Sequence, residues 1–444
     1  MKTRRLPSIP SCLILAFASA PACAVAAELV LQKAPPLTVR EAPAYPQNVA
    51  RYHLGAEVKA APRSVPVSQL QLSSKTEDQN AAEAALLCDD PTTGYQLPIG
   101  PTTVLVSLAN IENVESLSFQ NQGAEGTFEV ALSNAEMPAN SPEWRSAGKR
   151  SIAGPAVALS VGPGEAKYIR LKFDVTKPGR IAALGIYATP ALSDFTMPRP
   201  SKVSFEETSA GFALINFNYS ELHARARALY ASSGDVTQAN RMLDDQPATS
   251  YEFAPGDAAP TAVIDLGQER TLTRLSAVYA PQSGQVEFYV LNNLPRYWEG
   301  DAADNFGVQQ VANVSQPADL PASLKISDKA FAGLKPVGSV SSGGEGRAAV
   351  DFPEVTGRYI MLKWHPTNAQ NEPFSIAQVA AFGPRKRSEL AARDGKDGKE
   401  IFDNKNIPAP AAGPEQAPPE EGPPPALPPV PPFTFIPQLP PTSP

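Results

Sequence analysis

Two stretches of similar sequence decide the fold: LLCDDPTTGY at residues 86–95 and MLDDQPATSY at residues 242–251. Each has two apolar residues near its start, then an Asp-Asp pair, a proline, a threonine and a final tyrosine. Two such stretches within one chain indicate an internal repeat.

The similarity continues on the C-terminal side of both stretches. Five further pairs of segments follow in the same order: 103–108 with 262–266, 115–121 with 273–280, 126–134 with 284–293, 166–175 with 357–366, and 180–188 with 375–383. The offset between partners grows along the chain because the second copy has a longer middle. The sequence therefore predicts a duplicated unit.

The repeated segments have the pattern of β-strands. They alternate polar and apolar residues, are rich in Val, Ile, Leu, Phe and Tyr, and are separated by Gly, Pro, Asn and Asp. This pattern is typical of sandwiches and barrels, and helical periodicity is scarce. We therefore expect an all-β protein with two tandem antiparallel β-sandwiches.

The order of these segments resembles the discoidin, or coagulation factor V/VIII type C, family of galactose-binding-like jelly rolls. The second copy carries the motifs Asp244-Asp245, Thr249-Ser250-Tyr251, Asp265-Leu266-Gly267-Gln268 and Arg358-Tyr359-Ile360. The first copy carries Asp89-Asp90, Thr93-Gly94-Tyr95, Trp144 and Lys167-Tyr168-Ile169-Arg170, but has Ser107-Leu108-Ala109 instead of Asp-Leu-Gly. The resemblance covers residues 50–190 and 215–384 and implies a jelly roll in each copy.

The resemblance also implies a structural calcium ion. In many members of the family the Asp-containing turn wraps Ca²⁺, which makes Asp244, Asp245 and Thr249 candidate ligands here. The glutamate that normally closes the site is replaced by Ala183 in the first copy and Gln378 in the second. The alternative is a turn without metal, in which Asp accepts hydrogen bonds from backbone N–H groups two residues on.

A short aromatic motif in the longer middle of the second copy is the candidate ligand site. Arg296, Tyr297 and Trp298 lie between Asn292-Asn293 and Asp301. An aromatic ring beside Arg, amide and carboxylate groups suits a sugar, which offers an apolar face and a rim of hydroxyls. The alternative is a loop held in place by its own aromatic residues.

No catalytic constellation is evident in the sequence. The three histidines, His53, His223 and His365, are far apart, and no metalloprotease, nucleophile-elbow or phosphate-loop motif occurs. Cys88 is either a reactive thiol or, as its apolar neighbours favour, a small core residue. Trp144 and Trp364 are expected in the core. We expect a protein that is not an enzyme.

The remaining segments predict an exported protein. Residues 1–27 have the basic start, apolar stretch and small-residue end of a signal peptide. Sixteen of residues 408–444 are proline, which favours an extended, disordered tail. The predicted organisation is a signal peptide (1–27), an irregular segment (28–47), the first sandwich (48–190), a linker (191–211), the second sandwich (212–383), a charged linker (384–407) and the tail (408–444).

Composition narrows the function classes. A net charge of −7 argues against nucleic acid as a partner, since phosphate binding needs clustered Lys and Arg. No stretch after the signal is apolar enough to span a membrane. We expect a bacterial periplasmic, cell-surface or extracellular protein that binds a glycan or surface polymer. The alternative is a structural or assembly protein of the envelope, with a protein partner for the Pro-rich tail.

Overall fold

The computed structural model describes residues 29–38, 40–62, 83–190, 217–294, 320–326, 331, 333–367 and 372–384, which all fall within one compact unit. Sixteen β-strands and four short 3₁₀ helices lie wholly within these residues. The helices are Ala42–Ala44, Tyr52–Leu54, Leu222–Ala224 and Val236–Met242. No helix in this part of the chain has the length and hydropathy that crossing a bilayer requires.

Seven antiparallel strands build the first sandwich. They are β2 (Glu57–Pro62), β3 (Gly94–Leu97), β4 (Gly100–Gln122), β5 (Glu125–Ser133), β6 (Arg145–Ile152), β7 (Ala156–Lys177) and β8 (Gly179–Ala188). The remaining nine build the second: β1 (Leu29–Lys33), β9 (Arg227–Ala231), β10 (Tyr251–Glu252), β11 (Thr261–Tyr279), β12 (Ser283–Leu291), β13 (Ser323–Ile326), β14 (Gly338–Gly343), β15 (Arg347–Pro366) and β16 (Ser375–Phe382).

Two long strands in each half pass from one layer of the sandwich to the other. The first part of β4 pairs with β2 and the end of β7, and its second part pairs with β8 and the start of β7. The register shifts between Ser107 and Glu112, where an irregularity bends the strand. One layer is therefore β2-β4-β7-β5-β6, and the layer facing it is β3-β8-β4-β7.

The second half has the same pairing order. Its larger layer is β13-β1-β9-β11-β15-β12-β14, and the facing layer is β10-β16-β11-β15, with the shift between Asp265 and Arg270. Each repeated segment of the first copy therefore occupies the same place as its partner in the second. The prediction of two antiparallel β-sandwiches is confirmed.

Each sandwich has its own apolar interior. Aromatic side chains pack together in both interiors: Phe119, Phe128 and Phe173 in the first, and Tyr279, Trp364 and Phe374 in the second. The Trp364 ring is fully buried and stacks on Phe374 at a centroid distance of 4.6 Å, as the prediction of a core tryptophan requires. Trp144 is also buried, but it packs with Leu105 in a separate cluster. Because Val104 and Val106 face the interior, Leu105 and this cluster lie on the outer face of the sheet.

The N-terminal segment differs from the prediction. Residues 28–47 were expected to be irregular, but Leu29–Lys33 form strand β1, which pairs with β13 and β9 of the second sandwich. The edge of β9 offers unpaired backbone groups, and an alternating LVLQK sequence satisfies them by adding a strand. Ala34 and Tyr45 enter the interior of the second sandwich as well. The segment that precedes the first sandwich in sequence thus belongs structurally to the second.

Candidate functional site

The predicted sugar loop lies beyond the described part of the chain. This applies to all four of its proposed ligand-binding residues: Arg296, Tyr297, Trp298 and Asp301. The described chain reaches the segment at Leu294 and resumes at Leu320, and both leucines are buried. Both belong to one apolar cluster, so the segment between them begins and ends at the same region of the second sandwich.

That region is the outer face of the larger sheet. Val263 belongs to the cluster, whereas its neighbours Ala262 and Ile264 belong to the interior, so the cluster lies on the side away from the facing layer. Its buried members are Leu31, Leu229, Tyr230, Val263, Tyr289, Leu294, Leu320, Leu324, Ile326, Tyr359 and Met361. We call this set the outer-face cluster.

A polar group lies beside the outer-face cluster. The Tyr289 hydroxyl lies 2.6 Å from Glu287 Oε2 and donates to it, and His365 Nε2 lies 3.1 Å from the same oxygen. Lys363 Nζ lies 3.7 Å from the centre of the Phe331 ring, which also meets the Tyr289 ring edge-on at 5.6 Å. One contiguous set, which we call the Glu287 cluster, thus consists of Glu287, Tyr289, Phe331, Lys363 and His365. Adjacent strands β12 and β15 place four of them on the same face.

Glu287 is held as an ionised acceptor. Burial acts to raise its pKa, but the hydrogen bonds from Tyr289 and His365 outweigh burial, and the pKa of Glu287 is lowered. Both contacts use Oε2, and no described residue donates a hydrogen bond to Oε1. About a fifth of the side chain is exposed (22%), as is 40% of the His365 side chain. The cluster therefore presents a charged acceptor and an imidazole to solvent.

The first sandwich lacks this arrangement. Glu129 on β5 lies opposite Lys172 on β7, in the same relation as Glu287 to Lys363. The positions that correspond to Tyr289 and His365 hold Ala131 and Asp174, so no second donor converges on Glu129 from them. The two copies share the sheet but not the cluster.

The Asp pairs of the two copies are offset by one residue. Tyr95 lies opposite Ile181, and Tyr251 lies opposite Ile376, which aligns the stretches 86–95 and 242–251 without a gap. Asp89 then corresponds to Asp245, and Cys88 corresponds to Asp244. The contacts agree with this alignment, since Cys88 Sγ hydrogen-bonds Thr93 while Asp244 accepts from Thr249 Oγ1 at 2.8 Å.

The surroundings of the second Asp pair favour the turn without metal. Asp244 accepts from the backbone N–H of Gln246, and burial raises its pKa well above the ordinary value. Asp245 is in the left-handed conformation (φ 55°), and its carboxylate accepts from Arg51, Asn48 and Gln378. A calcium ion binds oxygen acceptors, whereas the Asp245 carboxylate is surrounded by three hydrogen-bond donors, one of them positively charged. These surroundings do not fit a calcium ion at Asp245.

Asp245 instead joins the two sandwiches. Arg51 of the first sandwich donates from Nε to Asp245 Oδ2 at 2.7 Å, and Tyr187 donates to the Asp245 carbonyl at 2.8 Å. In the opposite direction, Arg274 of the second sandwich donates to Asp90 Oδ2 at 2.8 Å. The sandwiches are therefore joined through buried polar contacts at the turns that the sequence singled out.

A second group of ionisable side chains lies at this junction. His53 Nδ1 is 3.1 Å from Asp89 Oδ2, which also accepts from the backbone N–H of Asn218. Burial acts to lower the pKa of His53, but the Asp89 carboxylate outweighs it, and the pKa is raised. Glu221 lies close to both side chains. In the sequence, His53 and His223 are far apart. In the structure, both lie in short 3₁₀ helices at equivalent places in the two copies.

Cys88 is a core residue. It is buried, its Sγ lies 3.3 Å from the Ala85 carbonyl, and burial raises the pKa of the thiol to about 11. A thiol with this pKa stays protonated at neutral pH, where the thiolate is the nucleophile. The interpretation of Cys88 as a small apolar residue is confirmed.

Comparison with known proteins gives structural likenesses of low similarity. No family model matches the chain, and no curated protein matches its sequence. A Ruminococcus gnavus GH29 fucosidase in complex with fucose is 16% identical over 33% of this chain and 27% of its own, with a TM-score of 0.24. The present chain therefore spans about a quarter of that enzyme.

Two other likenesses extend over both sandwiches. The F-lectin (fucolectin) of striped bass, Morone saxatilis, is 13% identical over 76% of this chain and 98% of its own, with a TM-score of 0.25. Allantoicase of Saccharomyces cerevisiae is 10% identical over 78% of this chain and 96% of its own, also with a TM-score of 0.25. The assignment of the fold rests on the strand pairing described above.

Proposed function

We propose that this protein is a non-catalytic carbohydrate-binding protein and that the outer face of its second sandwich holds the sugar. The observation that carries the proposal is the convergence on Glu287. Tyr289 and His365 fix one carboxylate oxygen, and no described residue donates a hydrogen bond to the other. A fixed carboxylate that accepts from neighbouring hydroxyls is a suitable partner for the rim of a pyranose.

The predicted sugar loop supplies the aromatic part of the proposed site. The described chain that precedes Tyr297 and Trp298 ends at Leu294, in the same apolar cluster as Tyr289. An indole ring from this segment would cover the apolar face of a sugar whose hydroxyls meet Glu287 and His365. A sequence motif of the second copy and the geometry of the Glu287 cluster thus support the same proposal.

The charge state of Glu287 supports binding rather than hydrolysis. Glycoside hydrolysis uses two carboxyl groups, one of them held protonated as an acid by a raised pKa. The Glu287 cluster contains one carboxylate, and the pKa of that group is lowered. An ionised carboxylate accepts hydrogen bonds from hydroxyls but does not donate a proton to a leaving group.

Glycan binding is tested with a matched pair of variants. The full mature chain is screened on a glycan array, and the strongest hit is titrated by calorimetry. Glu287→Gln should weaken binding by about 10-fold or more, since a hydrogen bond to a charged group contributes about 1.5–3 kcal/mol. Glu129→Gln, the equivalent change in the first sandwich, should leave the affinity unchanged. Equal affinities for both variants would remove the Glu287 cluster from the site.

We also propose that the protein lies outside the cytoplasm of a bacterium, in the periplasm, on the cell surface or in the medium. This proposal is supported by the signal-like sequence of residues 1–27. N-terminal sequencing of protein isolated from each cell fraction tests it. A protein that starts at Met1 and is found in the cytoplasm would contradict export.

A further inference from the structure

Three ionisable side chains from both sandwiches meet at their junction. His53 and Asp89 belong to the first sandwich and Glu221 to the second, and all three are buried (5%, 5% and 4% exposed). One ring nitrogen of His53, one Asp89 carboxylate oxygen and one Glu221 carboxylate oxygen all lie within 4.8 Å of one another. The set combines one imidazole nitrogen with two carboxylates, which are ligand types that first-row transition metals bind in proteins.

The Glu221 carboxylate is the feature that points to a ligand. No described residue donates a hydrogen bond to it, and its ion-pair contact is His223 Nδ1 at 3.5 Å. Arg51, the buried guanidinium nearby, is engaged with Asp245 and lies 3.8 Å from Asp89. Burying a carboxylate without a hydrogen-bonded cation costs several kcal/mol, and a metal ion bound to Glu221 would offset this cost.

We infer that His53, Asp89 and Glu221 bind one divalent transition-metal ion, of the class of Zn²⁺, between the two sandwiches. The 3.1 Å between His53 Nδ1 and Asp89 Oδ2 is close to the separation of two ligands on a tetrahedral zinc ion with bonds of about 2.0–2.2 Å. Movement of the Glu221 carboxylate toward these two atoms completes three protein ligands. His223 Nδ1 lies 3.5 Å from Glu221 Oε1, on the second sandwich's side of this set.

The ion would fasten the two sandwiches together. Its ligands come from residues 53 and 89 on one side and residue 221 on the other, so separation of the sandwiches would break the coordination. Ca²⁺ and Mg²⁺ prefer sites built from oxygen alone, so they are not the expected ions. The site is also distinct from the Asp244-Asp245 turn at which the sequence resemblance placed calcium.

The test uses the full mature chain, purified without a histidine tag and stripped with a chelator. Thermal unfolding is followed during titration with ZnCl₂, and Co²⁺ is added separately to record the visible absorption of a tetrahedral site. We expect a saturable rise in Tm of at least about 3 °C at 100-fold excess over the dissociation constant, with one ion per chain. CaCl₂ at the same concentration should give no rise.

Glu221→Gln separates a metal ligand from a structural residue. It removes the buried charge but keeps the shape, so the metal-free variant should be at least as stable as the parent while the Zn²⁺ shift and the Co²⁺ spectrum are lost. Glu354→Gln, an exposed position on β15, is the control and should keep both. The inference is overturned if the parent shows no saturable Zn²⁺ shift, or if Glu221→Gln retains it.

Discussion

Arg51 of the first sandwich and Asp245 of the second form an ion pair in which Nε and Nη2 of the guanidinium each reach one carboxylate oxygen. Both residues are almost fully buried (1% and 3% exposed). Asn48 and Gln378 donate to the same carboxylate. The pair thus lies in the contact between the sandwiches, and the loss of one partner would leave the other buried without compensation.

Replacing Arg51 should therefore destabilise the protein strongly. Arg51→Met leaves the Asp245 carboxylate buried without a cation, and we expect a loss of about 3–5 kcal/mol in the free energy of unfolding. Adding Asp245→Asn should recover part of this loss, because the uncompensated charge is gone. Urea unfolding of the two single variants and the double variant measures the coupling. Additive single effects would mean that the pair is not coupled.

The N-terminal strand gives a second prediction. Leu31 is fully buried in the outer-face cluster, whereas Val30 on the opposite side of β1 is 40% exposed. Leu31→Ala should cost about 2–4 kcal/mol and speed hydrogen exchange in β13 and β9, the strands that pair with β1. Val30→Ala is the control and should cost well under 1 kcal/mol. If both variants behave alike, β1 is not held by its packing.

A pH-dependent effect follows from Glu83. This residue is buried (7% exposed), and burial raises the pKa of its carboxyl from 4.5 to about 7, although it accepts a hydrogen bond from the Ala60 N–H. Ionisation is therefore easier in the unfolded chain, and stability falls as the pH rises from about 4.5 to about 7. Glu83→Gln removes this loss. We expect the variant to gain about 1–2 kcal/mol relative to the parent between pH 5 and pH 8, measured by urea unfolding at each pH. A constant difference across this range would contradict the shift.

The sugar loop and the Glu287 cluster should act as one site. Trp298→Ala is expected to weaken glycan binding by about 1–3 kcal/mol through loss of a stacking partner. Combined with Glu287→Gln, its effect should be less than additive, since residues that hold one ligand are coupled. Titration calorimetry of the single and double variants provides the measurement. Full binding by Trp298→Ala with intact folding would exclude the loop.

Much of the fold could be predicted from sequence because the repeat makes two copies of each strand pattern visible. The pairing of β1 could not, since its partners lie far along the chain and only three-dimensional pairing joins them. The offset of the Asp pairs was hidden for a related reason. The two Asp-Asp pairs suggest an alignment of Asp89-Asp90 with Asp244-Asp245. The threonine and tyrosine that follow instead align Cys88 with Asp244.

The candidate site shows the same limit. Glu287 and His365 are 78 residues apart, and the register of β12 against β15 brings them together. Likewise, Glu221 is joined to His53 by the contact of two copies, which no local pattern encodes. Local sequence predicts strands and turns well, but it does not specify which side chains meet across sheets or between domains.

The position of β1 has a consequence for the order of folding. Leu29 emerges early in synthesis, yet its partner Ile326 is made about 300 residues later. The first sandwich has all of its strands by Ala188 and is able to fold while β1 still lacks a partner. Pairings of such long range carry the largest loop-closure entropy and form late. We therefore expect the pairing of the N-terminal strand with β13 to form late in folding.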